Sequence, residues 1–404
     1  MSGKNVSLGQ VSELLIGFAF KSSGFLDDAA EGIRLVRGDN VQQGNIRWGD
    51  KAKKWALGDF ELLSRYQLRL GDVLLAMDRP VVGGGLKLAW VTQNDLPSLL
   101  VQRVCCVRGK AGIADTLYLR YVLAEPRFTG HIDRITTGAN IPHISGKDIA
   151  AFSFALPPLD EQRRIASAIA AYDDLIENNQ RRIKLLEEAA QRLYREWFVA
   201  LRFPGHERVK VVDGVPQGWE RKQLDSICYE VKDLADPNQI DPATPYLSME
   251  HMQPRSICLD HWETANKVGS TKAEFKKRDV LFGKIRPYFH KVGLAQTSGI
   301  TSTDVIVLRP KKAELLAMLL MIVSADDFVA HAAGTSNGSK MPRANWQVLK
   351  NWGILVPPNE IVARFESAIN PLLDQMEHLS QQSRLSRQAR DALLPRLMSG
   401  ALVA

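Results

Sequence analysis

Cysteine is scarce in this chain, and its four cysteines stand in no useful spacing. Cys105 and Cys106 are adjacent, while Cys228 and Cys258 form neither a Cys-x-x-Cys pair nor a histidine-paired ligand set. They read as reduced thiols rather than as a disulfide framework or a zinc site. No apolar run approaches the roughly 20 residues that a bilayer-spanning helix needs, and Met1-Ser2-Gly3-Lys4-Asn5 lacks the apolar core of a signal peptide. A cytoplasmic protein with no membrane partner is the expectation. Catalytic patterns are missing too. The eight histidines form no His-Glu-x-x-His cluster. Gly83-Gly84-Gly85 lies in a Pro-Val-Val-Gly loop, and the segment from Gly334 to Lys340 misses the phosphate-loop spacing by one residue. The Pro-Pro pairs follow Leu156 and Val356, so neither forms the Asn/Asp-Pro-Pro-aromatic loop of an amino-methyltransferase. A Pro-Asp…Asp/Glu-x-Lys nuclease core is not recognisable either. These gaps argue against an enzyme and against a metal or cofactor bound by this chain.

What the chain does have is an internal echo. Leu156-Pro157-Pro158 and the apolar-periodic helix after it recur about two hundred residues later as Val356-Pro357-Pro358 and a second helix. Upstream, Asp72-Val73-Leu74 is followed by Arg79-Pro80, and Asp279-Val280-Leu281 by Arg286-Pro287, seven residues from Asp to Arg both times. One unit therefore occurs twice: a mixed domain of roughly 155 residues, a Pro-Pro hinge and a helix of roughly 40. The divisions fall at 1–157, 158–202, 203–357 and 358–404. A reading unit built twice suits a ligand with two-fold repetition, and duplex DNA is the commonest.

The net charge of +7 agrees once it is located. Residues 160–202 hold eight basic and eight acidic side chains, and 359–400 hold five of each, so both helical segments are neutral. The excess lies in the mixed domains, nineteen against fifteen in 1–159 and twenty against seventeen in 203–358. That balance favours a polyanion held by the paired domains, although an excess this small is common.

Both domains read as α/β (α+β mixed). Strands are expected at 72–77 and 279–285, a continuous strand at 100–107 with its counterpart at 303–310, and one helix per domain near 113–125 and 312–331. The long helices carry the sharpest period. In the first, Ile165, Ile169, Tyr172, Ile176, Asn179, Ile183, Leu186 and Leu193 alternate spacings of four and three, a coiled-coil seam. Asn179 is suited to fixing register there. Phe365, Ile369, Leu372, Met376, Leu379 and Leu393 keep the same register in the second, which weakens at Ser383, Ser386 and Arg390. Pro371 and Pro395 predict bends in it. A pseudo-two-fold axis relating the copies makes the helices antiparallel. At about 1.5 Å per residue, 38 helical residues would hold the domains up to roughly 57 Å apart. Trp197 and Phe198 at the helix exit read as core against the second domain.

The motifs resemble one known family, the specificity subunits of Type I restriction–modification systems. The marks are Leu-Pro-Pro-Leu-Asp-Glu-Gln-Arg-Arg-Ile-Ala at 156–166, Leu-Tyr-Arg-Glu-Trp-Phe at 193–198, Val215-Pro216-Gln217-Gly218-Trp219, and Leu-Pro-Arg-Leu-Met-Ser-Gly at 394–400. The second copy departs from the pattern, with Asn359-Glu360-Ile361-Val362 after its Pro-Pro pair. The resemblance implies a non-catalytic subunit with two target-recognition domains separated by two long antiparallel coiled-coil helices. Such a subunit binds the two halves of a split, asymmetric site on double-stranded DNA. It docks two methyltransferase subunits, which carry the S-adenosylmethionine, and restriction/translocase subunits. A coiled-coil scaffold joining two protein-binding domains stays open as an alternative, and a self-contained methyltransferase or nuclease as a weaker one.

Two loops per domain are candidates for DNA contact. One follows the Asp-Val-Leu strand and supplies Arg79 and Lys87 in the first copy, and Lys284, Arg286, Tyr288, His290 and Lys291 in the second. The other precedes each Pro-Pro hinge and supplies Asn140 and His143, then Asn337, Ser339, Lys340 and Arg343. Arginine can bond guanine bidentately, and Lys, Asn and Ser grip phosphates and adenine edges. Arg79 and Arg286 recur in both copies, so they could instead pair with carboxylates and hold the fold. Residues that differ between the copies, Tyr288, His290, Asn337 and Lys340, are the better specificity candidates.

Overall fold

The computed structural model describes residues 4–27, 29–49, 52–83, 85–136, 142–266, 268–338 and 340–401. The chain forms two compact units, Met1–Asp173 with Gln388–Ala404, and Asp174–Arg387. Each unit thus combines one mixed domain with a stretch of both long helices, because neither helix can bury its apolar stripe alone.

In the first unit Ser12–Ile16, Val104–Gly109, Val73–Ala76 and Leu88–Trp90 form one antiparallel sheet in that order. A second sheet orders Ser98–Leu100, Ile33–Val36, Lys53–Trp55 and Leu26–Asp27, its first pair parallel. The second unit repeats the plan. Cys228–Val231, Val305–Pro310, Val280–Gly283 and Val292–Ala295 follow one another antiparallel, with Cys258–Leu259 added parallel at the edge, and Gly299–Thr301 beside Pro245–Leu247 supplies the parallel pair of the other sheet. The Asp-Val-Leu strands sit centrally and are buried on both faces. Val73 and Leu75 face the helices, whereas Leu74 and Ala76 face a separate core, which is why these strands read as continuous apolar runs.

Two expectations need correction. The continuous strand at 100–107 is two strands in two sheets, broken at Arg103, whose φ of 67° turns the chain between them. The counterpart expected at 303–310 is a single strand, Val305–Pro310, with Gly299–Thr301 ahead of it in the other sheet. Among the described residues each domain holds several helices rather than one: Leu8–Val11, Thr116–Ala124, Pro126–Ile135 and Gly146–Ala150, then Leu316–Val323, Asp326–Gly334 and Trp346–Leu349. Pro126 cannot continue the preceding turn. In the second copy Ala325 is extended, at φ −71° and ψ 147°, and makes the equivalent break.

The strand before each hinge pairs antiparallel with a strand near the start of its own domain, Ser153–Leu156 with Lys4–Ser7 and Gly353–Val356 with Glu220–Gln223. From there the long helices start at Leu159 and Asn359 and run to Tyr194 and Met398. The second passes through both Pro371 and Pro395 without interruption. Within the second unit they are antiparallel: Asn179 Nδ2 donates to Gln382 Oε1 at 3.0 Å, and Trp197 meets Phe365 with ring centroids 5.6 Å apart. In the first unit Arg390 bonds Asp173 at 2.8 Å. Ile165, Ile169, Ile176, Asn179, Ile183, Phe365, Ile369, Met376 and Leu379 are buried, while Tyr172, Leu186, Leu193, Leu372 and Leu393 are half-buried. Ser383 and Ser386 are buried as well, so the apparent weakening of the seam substitutes small side chains without exposing it. Phe198 packs between Phe365 and Trp219 at 4.7 and 5.7 Å, inside the core as its sequence suggested.

Candidate nucleic-acid interface

The site is built on a frame that both copies share. Asp72 Oδ2 accepts from the Arg69 amide, and both its oxygens accept the Arg108 guanidinium at 2.6 Å. In the second copy Asp279 accepts from the Lys276 amide and takes Arg309 in the same two-pronged way at 2.7 Å. These carboxylates are 3% and 2% exposed, and each bidentate ion pair ties the central strand to its neighbour. The pairs hold the Arg108 and Arg309 guanidiniums still more firmly protonated than usual. Sequence reading missed both arginines, although Arg108 and Arg309 end equivalent strands. Arg79 and Arg286 are not the residues that close the fold; among the described residues neither has a carboxylate partner.

Beyond this frame the strand runs into the first loop, where Arg79 and Arg286 adopt left-handed backbone, φ 46° and 48°. Side chains rarely sit there without compensation. The compensation is the same in both copies. Arg79 N donates to Pro142 O at 2.6 Å, and Arg286 N donates to Pro342 O at 2.8 Å. Isolated bridges join Asp78 to His143 and Ile285 to Arg343. The two candidate loops of each domain, far apart in sequence, are therefore clasped together at equivalent points. Asn337 and Arg343 exchange backbone bonds at 3.2 and 2.9 Å and close the second loop into a small hairpin.

The candidate side chains separate by burial. Arg79, His143, Tyr288, Asn337, Lys340 and Arg343 are exposed, and Arg286 is half-buried. Arg286 Nη2 reaches Lys340 O at 3.4 Å, while its buried Nε has no partner among the described residues. Arg343 lies 3.4 Å from Asp304. Others face inward, which their sequence positions did not reveal. Lys87 is 8% exposed and donates to Gly38 O. His290 is 7% exposed with Nε2 on Ser324 O at 2.8 Å, and burial lowers its proton affinity below the usual histidine value. Lys284 and Lys291 donate to the carbonyls of Thr303 and Met249 at 2.9 and 2.6 Å. Asn140 and Ser339 lie outside the described residues.

Residues 3–188 match the family model described as the Type I restriction modification DNA specificity domain. The chain carries a Type I restriction–modification DNA specificity domain. Among curated relatives, it is 24% identical over 303 residues to the Type I restriction enzyme MjaIX specificity subunit of Methanocaldococcus jannaschii, covering 70% of this chain and 68% of that one. It is 33% identical over 186 residues to the Type I restriction enzyme EcoAI specificity subunit of Escherichia coli, covering 46% of this chain but only 30% of the relative. The fold is that of the Type-I restriction-modification system S subunit from M. genitalium, with a TM-score of 0.62 at 11% identity over 98% of this chain and 96% of that one. The family drawn from the motifs, and the pair of repeated domains with central helices, both stand. The matched specificity domain contains the Arg79 and His143 clasp and most of the first long helix. The Arg286 and Arg343 clasp lies beyond it and rests on the internal repeat.

The specificity-domain fold also explains polar residues buried on the long helices. Gln162 bonds Asp115 N, Ile113 O and Pro157 O at 2.9, 3.0 and 2.9 Å, holding the start of helix Thr116–Ala124. Its structural stand-in in the second copy is Glu366, which accepts from Met318 N at 3.1 Å. The second copy places that contact one helical turn later, so the Val362 departure is offset by a different side chain. All four cysteines are buried, and burial pushes Cys105 and Cys228 up to about 12. Among the described residues no cluster could hold a metal ion, and no single helix is long and apolar enough to cross a membrane.

Proposed function

We propose that this chain is a cytoplasmic, non-catalytic DNA-specificity subunit of a Type I restriction–modification enzyme. Its target-recognition domains, 1–157 and 203–357, read the two halves of an asymmetric split site on duplex DNA. The segments 158–202 and 358–404 act as spacer and as docking surface for two methyltransferase subunits, with restriction/translocase subunits joining the complex. S-adenosylmethionine belongs to those partners. The observation that carries this reading is the repeated clasp: one backbone geometry in both domains, Arg79 on Pro142 and Arg286 on Pro342, bearing different exposed side chains. A rigid platform with variable tips is what two unlike half-sites require. Arg79, Arg286, Lys340 and Arg343 are assigned to phosphates and guanine edges, and His143, Tyr288 and Asn337 to base edges. Lys87, His290, Lys284 and Lys291 hold the loops from behind.

The test is a genome-wide adenine-methylation map of cells co-expressing this chain with the methyltransferase encoded beside it. A single split motif with a fixed gap, lost when the chain is omitted, is the expected result. No motif despite an active methyltransferase and a stable complex would sink the reading in favour of a protein-binding scaffold.

A further inference from the structure

The turn that begins at each clasp has a second feature. In the second domain Arg286 and His290 are both left-handed, φ 48° and 54°, and bracket the single turn Pro287–Phe289. In the first domain Arg79 and Gly83 bracket Pro80-Val81-Val82 with φ 46° and 58°. Pro80 and Pro287 are both buried. Past the shared left-handed arginine the two copies part: Val81–Val82 run extended and pair with Gly85–Leu86, whereas Pro287–Phe289 coil into one 3-10 turn that is pinned from several sides. Phe289 N and His290 N bond Arg286 O and Pro287 O at 2.9 and 2.8 Å, and the clasp to Pro342 and the His290 bond to Ser324 O fix the base.

Despite the different shapes, each segment exposes apolar side chains. Tyr288 and Phe289 are 56% and 43% exposed, while Val82 is 51% exposed. The two rings are held edge to face with centroids 4.9 Å apart. Met341, itself 50% exposed, stands beside the clasped Pro342. Two exposed aromatics on a strained, multiply anchored turn are costly to the free protein and suit a partner surface. Charge narrows the partner. The clasp to Pro342 and the approach of Arg286 Nη2 to Lys340 O set the exposed Lys340 and Arg343 on the loop beside this turn, so the surface fits an anion that also offers an apolar group. In duplex DNA the major-groove edge of thymine, with its methyl, is such a group. A ring pair locked edge to face makes a broad knob, better shaped for a groove floor than for wedging between stacked base pairs.

We propose that the apex of this turn is the apolar base reader of each domain: Tyr288 and Phe289 in the second, Val82 in the first, seated against thymine methyls in the major groove. This rests on the DNA-reading function proposed above. The two half-sites then differ partly because the segment after the clasp is a turn with a large aromatic tip in one domain and a hairpin with a small aliphatic tip in the other.

The experiment uses the full chain and a random duplex library, selected by binding and then rebuilt with deoxyuridine replacing thymidine one position at a time. Uridine keeps every hydrogen-bonding group and lacks only the methyl. For the wild type, a thymine in the half-site read by the second domain is expected to cost about fourfold in affinity when its methyl is removed, the scale of one buried methylene-sized group. With Tyr288→Ala and Phe289→Ala combined, thymine and uridine duplexes should bind alike while the salt slope stays at the wild-type value. Val82→Ser should abolish a methyl effect only in the other half-site. Tyr288→Val with Phe289→Val, the side chains the first domain uses, retains an apolar turn and guards against misfolding; it should move the methyl preference without loss of binding. Equal binding of thymine and uridine duplexes by the wild type at every position overturns the proposal, as does a methyl effect undiminished in the apex variants. Enrichment of no sequence at all by the wild type would instead overturn the DNA-reading function itself.

Discussion

The two domains agree where the chain must hold itself together and differ where it meets solvent. Asp72 with Arg108 and Asp279 with Arg309 are the same ion pair in the same place. Arg79 on Pro142 and Arg286 on Pro342 are the same clasp. Beyond the clasp, Tyr288-Phe289 stand in the repeat where the first copy has Val81-Val82, and Arg343 where it has His143. A duplicated unit can vary its tips freely only if strain and charge are settled beneath them. The exchange of Gln162 for Glu366 as the side chain holding the domain's core helix teaches the same lesson, since the contact is kept although its residue has moved.

The largest expected effect tests the shared frame. Asp279→Ala would leave Arg309 half-enclosed without its partner and should cost about 3 kcal/mol. Asp72→Ala should cost the same in the other unit. Chemical denaturation of the two variants checks this, and a marked asymmetry would break the equivalence of the frames.

Next comes the difference between the tips. Lys340→Ala with Arg343→Ala should weaken DNA binding and lower the log–log salt slope by about 2, whereas Arg79→Ala should lower it by about 1. Binding titrations across salt concentrations measure both, and an unchanged slope removes those residues from the phosphate contacts.

A smaller effect separates the helices. Asn179 is fully buried in the seam, and its Oδ1 has no partner among the described residues. Asn179→Leu should therefore raise stability by about 1 kcal/mol while loosening the register of the helix pair. A higher melting temperature with a broader distribution of conformers, seen by cross-linking along the seam, is the expected outcome.

The smallest effect is pH-dependent. Burial raises the Glu187 carboxyl above 4.5, against the opposing bonds from Ser256, Cys258 and Ile257. The folded chain then holds this proton more tightly than the unfolded one. Stability from this group falls as pH rises from 4.5 through the folded value, and the cost is complete at neutral pH. Glu187→Gln keeps an acceptor oxygen and cannot ionise, so it should gain stability at pH 7 and nothing near pH 4. Melting curves at the two pH values decide it, and an equal gain at both would point to packing instead of charge.

Much of the fold was legible because repetition and periodicity are local signals. The four-three spacing from Ile165 to Leu193 located the seam, and the doubled Pro-Pro hinge located the start of each long helix. The helix count failed because the chain break at Glu125-Pro126 and its counterpart at Ser324-Ala325 sit inside stretches of helical composition. The loops were found, but their side chains could not be sorted. Lys87 and Lys340 look alike in sequence, yet one ammonium is turned inward to Gly38 and the other faces solvent.

By itself, then, the order of residues determined the duplication, the seam and its register, the neutral helices and the cationic domains, since each depends on residues near one another along the chain. Tertiary structure alone decided that loops sixty residues apart meet at Pro142 and Pro342, that Arg108 and Arg309 rather than Arg79 and Arg286 neutralise the buried carboxylates, and which cations are left to face a ligand. Those outcomes depend on which backbone amides and carbonyls the folded sheets leave unpaired, and burial assigns partners to them only once the whole domain has closed.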